Sequence, residues 1–82
     1  MRIDKYLKVS RLIKRRTIAA SACDAGKIKV NDKLVKPSFK VKVGDTIEIK
    51  FNEKATRVKV TKVMETSKKE EAVEMFEYID EK

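Results

Sequence analysis

The stretch that decides the fold is RTIAASACDAGKIKVN, residues 16–31. Its first ten residues carry apolar side chains at helical spacing, namely Ile18, Ala19, Ala22 and Cys23. Gly26 stands where a helix commonly ends in a left-handed residue, because glycine has no Cβ to clash there. The period then changes to two, with Ile28 and Val30 on one face of a strand. A helix over 16–25 is therefore predicted to lead directly into a strand.

A second amphipathic helix is predicted before it. In IDKYLKV, residues 3–9, the side chains of Ile3, Tyr6 and Leu7 share one face. Leu12 and Ile13 are expected to anchor the connection to the core. The first two elements are therefore both short helices.

The chain beyond residue 31 is typical of an antiparallel sheet. Asn31-Asp32 predicts a turn, and Leu34 and Val35 follow it. Gly44-Asp45 predicts another turn before TIEIKF, residues 46–51, whose Ile47, Ile49 and Phe51 alternate with polar residues. Alternation through Thr56–Val63 predicts a fourth strand.

The tail is predicted to be an amphipathic helix. Ser67 and Glu70 have the spacing of a capping box. Apolar residues then recur at helical spacing, namely Ala72, Met75, Phe76 and Ile79. We expect the protein's own sheet to cover this stripe, near Val58 and Val60. The fold class is therefore α+β, with one domain over 1–64 and a C-terminal helix over 65–82.

Charge indicates the kind of partner. The chain has 82 residues and a formal net charge of +8. Residues 1–16 alone carry seven Lys and Arg and one acid, Asp4. A polyanion offsets such repulsion by exchanging its condensed counterions for cationic side chains. The alternative is a solvated basic helix without a partner.

The residue types needed for catalysis are few. The chain has no histidine and one cysteine, Cys23, which is expected to be a core residue. No zinc-ligand cluster, phosphate-binding loop or dinucleotide motif occurs in the sequence. We therefore predict a protein that is not an enzyme and uses no metal or cofactor. The unpaired thiol favours the cytoplasm, and no apolar run reaches membrane-spanning length.

The candidate site lies at the start of the second helix. Arg15 and Arg16 combine donor forks with the free amides of a helix N-terminus, and Thr17 could add a hydroxyl. Lys27 and Lys29 continue the positive surface. Asp4 either complements the helix dipole or orients Arg2, Arg11 or Arg16. The aromatic residues Tyr6, Phe39 and Phe51 are assigned to the core, so we expect recognition of folded RNA by shape and backbone.

A family resemblance adds to this interpretation. The pattern R-I-D-K-Y-L at 2–7, S-R at 10–11, K-R-R-T at 14–17, A-G-K-I-K-V-N at 25–31, K-P-S at 36–38 and V-G-D at 43–45 resembles the S-four RNA-binding domain, or alpha-L motif. That resemblance covers a core motif of about residues 1–51. It implies that 1–64 is an RNA-binding domain in which two helices pack on a short antiparallel sheet. It implies RNA contacts by Arg2, Asp4, Lys5, Arg11, Lys14, Arg15, Arg16 and Thr17. Charge and position add Lys8 and Lys27. The family often has glycine where this chain has Asp32.

The whole chain resembles the bacterial RqcP family, with SKKEEAVEMF at 67–76 as the favouring segment. The resemblance implies binding to ribosomal RNA of the large subunit and stabilisation of peptidyl-tRNA on stalled, split subunits. It also implies that the protein works with the RqcH factor during untemplated alanine addition. We further predict that the protein is a monomer. Two alternatives remain open. One is a stand-alone heat-shock or regulatory RNA binder, or a fragment of an RNA-modifying enzyme. The other is a protein-interaction module without RNA function.

Overall fold

Two short helices open the chain, as the sequence predicts. The computed structural model describes residues 1–65 and 68–79 and has α1 at Ile3–Val9 and α2 at Arg16–Asp24. Ala19, Ala22 and Cys23 of α2 are buried, and these small side chains allow close approach to α1. Ile18 was predicted in the same stripe, but it is 49% exposed. A helix turns about 100° per residue, so Ile18 lies at the margin of that stripe.

Gly26 ends α2 as predicted. Its φ of +74° is in the left-handed region. Its amide donates to the Cys23 carbonyl at 3.1 Å, and the Lys27 amide donates to the Ala22 carbonyl at 2.9 Å. These bonds satisfy carbonyls that the end of the helix would otherwise leave without a partner. The chain therefore reverses within two residues and enters the sheet.

Within residues 1–65 and 68–79, the sheet has five antiparallel strands in the order β2-β1-β3-β4-β5. They are β1 (Ile28–Val30), β2 (Lys33–Leu34), β3 (Thr46–Phe51), β4 (Lys54–Val60) and β5 (Phe76–Tyr78). One face buries Ile47, Ile49, Val58 and Val60 in the same core as α1 and α2. β4 ends three residues before the predicted Val63, which packs partly buried against the core.

The Asn31-Asp32 turn is confirmed. Both residues have positive φ, 51° and 69°, between the paired residues Val30 and Lys33. This is the pattern of a type I′ hairpin turn, which short Asx side chains tolerate. Asp32 therefore supports the turn where the family often has glycine. The Asn31 side chain also fixes β3, because its Oδ1 accepts from the Thr46 amide at 3.0 Å.

The predicted C-terminal helix is much shorter than expected. Helix α3 covers Lys69–Ala72, and the continuation through Ile79 is wrong because β5 begins at Phe76. β5 pairs with β4 through Val60↔Phe76 and Val58↔Tyr78. It supplies backbone partners to an edge that would otherwise lack them. The predicted cap at Ser67 lies outside the described residues, whereas the Lys68 amide donates to the Glu71 carboxylate at 3.0 Å.

The tail nevertheless packs on its own domain, as expected. Ala72 and Met75 are buried, and Met75 belongs to the same core as Val58 and Val60. The Tyr6 hydroxyl donates to the Met75 carbonyl at 2.6 Å, which joins α1 to the tail. The proposed boundary between 1–64 and 65–82 stays a prediction.

The three aromatic residues that were predicted to lie in the core differ in exposure. Tyr6 is fully buried, as predicted. Phe39 and Phe51 were assigned to the core, but they are 37% and 43% exposed. Phe51 is the last residue of β3 before the turn to β4, and Phe39 directly follows the turn at 37–38, so both rings lie where the chain turns at the surface. No helix among residues 1–65 and 68–79 is long and apolar enough to cross a membrane.

Candidate nucleic-acid interface

The predicted RNA-binding residues divide by exposure. The exposed ones are Arg2, Lys8, Arg11, Lys14, Arg15, Arg16, Thr17 and Lys27. Lys5 is partly buried and Asp4 is buried. All but Lys27 lie in α1, in α2's first turn or in the residues flanking them. Lys27 lies beyond the far end of α2, about 13 Å along the helix axis from Arg16, so the structure does not bring it to the same point.

Asp4 joins the two helices electrostatically. Its Oδ2 lies 3.2 Å from Arg2 Nη2 and 3.4 Å from Arg16 Nε, although Asp4 is only 4% exposed. Its Oδ1 accepts from Arg2 Nε at 3.3 Å and from the Lys5 amide at 2.8 Å. Asp4 is thus both the acid of the first helical turn and the partner of two arginines. Within the described part of the chain it makes no ion pair with Arg11.

The two arginines keep donors for a ligand. Their side chains are 50% and 47% exposed while each contacts Asp4. A guanidinium has five N–H donors in a planar fork, and Asp4 engages only the Nε and Nη2 atoms of Arg2 and the Nε of Arg16. The carboxylate fixes the position of both side chains and cancels one of their two charges. The arrangement is a preorganised cationic pair suited to phosphate oxygens.

The start of α2 adds backbone donors beside Arg16. Arg15 occupies the N-cap position in extended conformation and gives no side-chain hydrogen bond to the first turn. The first amides of a helix have no intrahelical acceptor, so those of Arg16–Ile18 remain for an anion. The start of α1 differs, since its Ile3 and Asp4 amides donate to the Phe39 and Pro37 carbonyls at 2.7 and 3.3 Å.

Arg11 has an unusual backbone. It follows α1 with φ of +66°, in the left-handed region that bulky residues rarely adopt. Its amide donates to the Lys8 carbonyl at 3.0 Å, and the Ile13 amide donates to the Leu7 carbonyl at 3.1 Å. An exposed arginine therefore occupies a position where glycine would be less strained. The sequence alone gave no signal of this conformation.

Lys5 has an intramolecular partner. The Lys5 Nζ lies 3.2 Å from Glu65 Oε1, and the Glu65 side chain is 76% exposed. Exposed ion pairs of this kind are weak, so Lys5 can exchange Glu65 for a phosphate. Glu65 was not among the predicted site residues.

Four further lysines were not among the predicted site residues. Lys33, Lys36, Lys40 and Lys42 occupy a ten-residue segment without an acid. Lys40 forms an isolated antiparallel bridge with Arg2, which places this segment beside the start of α1. The run of lysines was visible in the sequence. Its position depends on a contact between residues far apart in the chain.

Cys23 has the environment of a core residue. It is 4% exposed, and burial, followed by the charges of Asp4 and Asp24, raises the pKa of its thiol to about 11. The thiol is therefore neutral at pH 7, whereas a nucleophilic cysteine requires the thiolate. In the ranges 1–65 and 68–79, no group of three or more histidine, cysteine or acidic residues is placed to hold a metal ion.

Comparison with known proteins assigns a family to the N-terminal part of the chain. The S4 domain family matches residues 1–47. Curated relatives named RQC P-site tRNA stabilizing factor include one from Streptococcus pneumoniae, 53% identical over 99% of this chain and 92% of the relative. Another, from Bacillus subtilis, is 47% identical over 99% of this chain and 94% of the relative.

Solved structures agree on the fold. Trimeric Heat Shock Protein 15 from Vibrio cholerae has a TM-score of 0.89 and 25% identity, covering 96% of this chain and 81% of that one. The solution structure of the hypothetical protein HP1423 has a TM-score of 0.85 and 26% identity, with full coverage of both chains. The chain therefore belongs to the S4 domain family, within the group of RQC P-site tRNA stabilizing factors.

Proposed function

We propose that this protein binds ribosomal RNA of the large subunit and stabilises peptidyl-tRNA on stalled, split subunits. The name carried by its relatives supports this role. The observation that carries the proposal is the ion-paired set of Arg2, Asp4 and Arg16 beside the first turn of α2. That set places two guanidinium groups and the first backbone amides of α2 on the same part of the surface.

The mechanism is recognition of a folded phosphate backbone. Arg16 and the α2 amides bind one phosphate group, and Arg2, held by the same carboxylate, reaches a neighbouring one. Because Asp4 fixes both side chains before binding, little rotamer entropy is lost when RNA arrives. Lys8, Lys14 and Arg15 add charge around this point and increase the rate of encounter.

The finer assignment concerns partners. We infer that the bound protein works with an RqcH-type factor while alanine is added to the stalled chain, and that it does so as a monomer in the cytoplasm. The 1–65 part supplies the RNA surface in this arrangement. The acidic residues Glu70, Glu71 and Glu74 lie in the tail. Because RNA would repel these carboxylates, the tail faces away from the bound RNA.

Cosedimentation with isolated large subunits, with and without peptidyl-tRNA, tests the proposal. We expect Arg16→Ala to weaken binding by about 1.5–3 kcal/mol, the value of a charge-assisted bond. Arg16→Lys should recover only part of the loss, because an ammonium cannot form the bidentate pair. The matched control is Lys59→Ala, which removes an exposed charge on β4.

Equal loss from Arg16→Ala and Lys59→Ala would contradict the arginine site, since net charge alone would then explain binding. Unfolding of Arg16→Ala would make Arg16 structural. A second candidate, a heat-shock type of ribosome binder, is favoured by the TM-score of 0.89 to Heat Shock Protein 15. Binding that is indifferent to peptidyl-tRNA would support that candidate.

A further inference from the structure

An open groove lies beside the β1–β2 hairpin, outside the arginine site. Its volume is about 500 Å³, a size that suits a small planar ligand. The residues that line it include Val35, Leu34, Phe39, Lys33, Lys36 and Ser38. Leu34 is 61% exposed and Phe39 is 37% exposed, so apolar surface and one aromatic ring are accessible to a ligand.

The backbone fixes the position of Phe39. The Phe39 amide donates to the Lys36 carbonyl at 3.0 Å, which closes a turn with Pro37 at its second position. The Phe39 carbonyl accepts from the Ile3 amide at 2.7 Å. The ring is therefore presented by a turn anchored to α1. None of these bonds involves the side chain, so the ring has no role in forming them.

The groove is lined by lysines, and its Phe39 side lies beside the start of α1, where Arg2 is. Lys33 and Lys36 line it, and the segment from 33 to 42 contains no acid. Lys40, next to Phe39, bridges to Arg2, whose guanidinium shares Asp4 with Arg16. A strand of RNA leaving the arginine site thus meets lysines and then an exposed ring.

We propose that this groove takes one unpaired nucleobase of the bound RNA, stacked on Phe39, with its flanking phosphates on Lys33 and Lys36. The inference rests on the proposed RNA-binding function and adds a base-binding site to it. Bulged or looped-out bases of folded RNA are commonly recognised by stacking on aromatic side chains. The protein would then recognise folded RNA by backbone at the arginines and by an extruded base at the groove.

An RNA base fits the groove better than an acidic peptide does. Both would be attracted by the lysines. The groove, however, adjoins a cationic pair built for phosphates, and every base has a π-face that can stack on a ring. A peptide bound only in the groove would leave the remaining positive charge of the arginine pair unbalanced, whereas an RNA strand that contacts both sites would neutralise both.

The experiment uses the full chain and two RNA hairpins. One hairpin carries a single unpaired 2-aminopurine in its stem, and the other lacks that nucleotide and is fully paired. We expect tighter binding of the bulged hairpin by about 5- to 150-fold, from stacking of one base, together with a change in 2-aminopurine fluorescence. Phe39→Leu keeps apolar volume but loses the π-face, so it should abolish both effects. Phe39→Trp should retain them.

The matched control is Phe51→Leu, since Phe51 is 43% exposed at the other hairpin, β3–β4. It should leave the preference for the bulged hairpin unchanged. Leu34→Ser, at a position 61% exposed, tests the groove without altering Phe39 and should reduce the preference. Melting curves of each variant confirm that the fold is retained.

Three results would overturn the base site: equal affinity for both hairpins, unchanged preference in Phe39→Leu, or equal loss from Phe51→Leu. A fluorescent glutamate–leucine peptide is titrated in parallel. Phe39-dependent peptide binding without a bulge preference would assign the groove to a protein instead. Failure of the RNA-binding role is distinguishable, because Arg16→Ala would then leave the affinity for the paired hairpin unchanged.

Discussion

Arg16 Nε lies 3.4 Å from Asp4 Oδ2, which ties the first turn of α2 to the first turn of α1. The contact spans two helices that are separated in sequence by a loop. It gives a cationic site a fixed geometry, because the same carboxylate also holds Arg2. The acid is buried while the arginine forks are half exposed, so the site presents positive charge outward.

Removing the acid should weaken RNA binding. Simple charge counting predicts that Asp4→Asn, by raising the net charge, binds a polyanion more tightly. We expect the opposite, a loss of about 1 kcal/mol or more, because Arg2 and Arg16 lose the group that orients them. Electrophoretic mobility shift with an RNA hairpin measures the effect. The control is Asp24→Asn, an exposed acid at the other end of α2, which should bind RNA equally or slightly better.

Salt should weaken the complex in a defined way. Four to six phosphate contacts are expected of the arginine site and its flanking lysines. At about 0.7–0.9 per contact, the plot of log K against log salt should have a slope of roughly −3 to −5. Arg16→Ala should lower the magnitude of the slope by about one contact. A flat dependence would remove the electrostatic account of binding.

Arg11 should show opposite effects on stability and binding. Its φ of +66° costs about 1–2 kcal/mol for a residue with a Cβ. Arg11→Gly relieves that cost but enlarges the freedom of the unfolded chain, so the net change should lie between zero and about 1 kcal/mol of stabilisation. RNA affinity should fall, since an exposed guanidinium is lost. Urea unfolding and RNA titration measure the two effects. A clearly destabilised variant would show that Arg11 has a packing role.

The tail should be required for stability. Removing residues 66–82 eliminates β5, exposes the edge of β4 and leaves the Tyr6 hydroxyl without the Met75 carbonyl. We expect a lower melting temperature and binding of a hydrophobic dye. A truncated protein that melts at the same temperature as the full chain would show that the tail serves a partner instead.

Tyr6 should make stability depend on alkaline pH. Burial raises the pKa of this buried phenol, which donates to the Met75 carbonyl at 2.6 Å. The folded state favours the neutral form of Tyr6. The stabilisation that Tyr6 contributes to the fold is therefore complete below the unfolded pKa of about 10 and is lost progressively as the pH rises above it.

Tyr6→Phe tests this dependence. At pH 7 it should cost about 1 kcal/mol, from the lost hydrogen bond. The difference from the wild type should shrink as the pH rises above about 10. Tyr78→Phe is the control, because Tyr78 is 68% exposed. A difference that is constant with pH would contradict the burial argument.

The sequence by itself determined the N-terminal half. Charge in residues 1–16 predicted the cationic surface, and the change of period at Gly26 predicted the passage from α2 to β1. These features were readable because they depend on local backbone geometry and on apolar residues along one element. The Asn31-Asp32 turn is of the same kind, since short Asx side chains tolerate the required positive φ.

Tertiary structure decided the rest. Residues 72–79 satisfy a helical pattern, yet β4 needed a backbone partner, and Phe76–Tyr78 became a strand. Periodicity does not distinguish helix from strand in short apolar segments. The unpaired backbone groups at the edge of β4 therefore favour the strand. Contacts between distant segments likewise explain two other features. They are the ion pairs of Arg2 and Arg16 with Asp4 and the exposure of Phe39. The free energies of such contacts depend on which distant segments pack together, and a local sequence pattern does not contain that information.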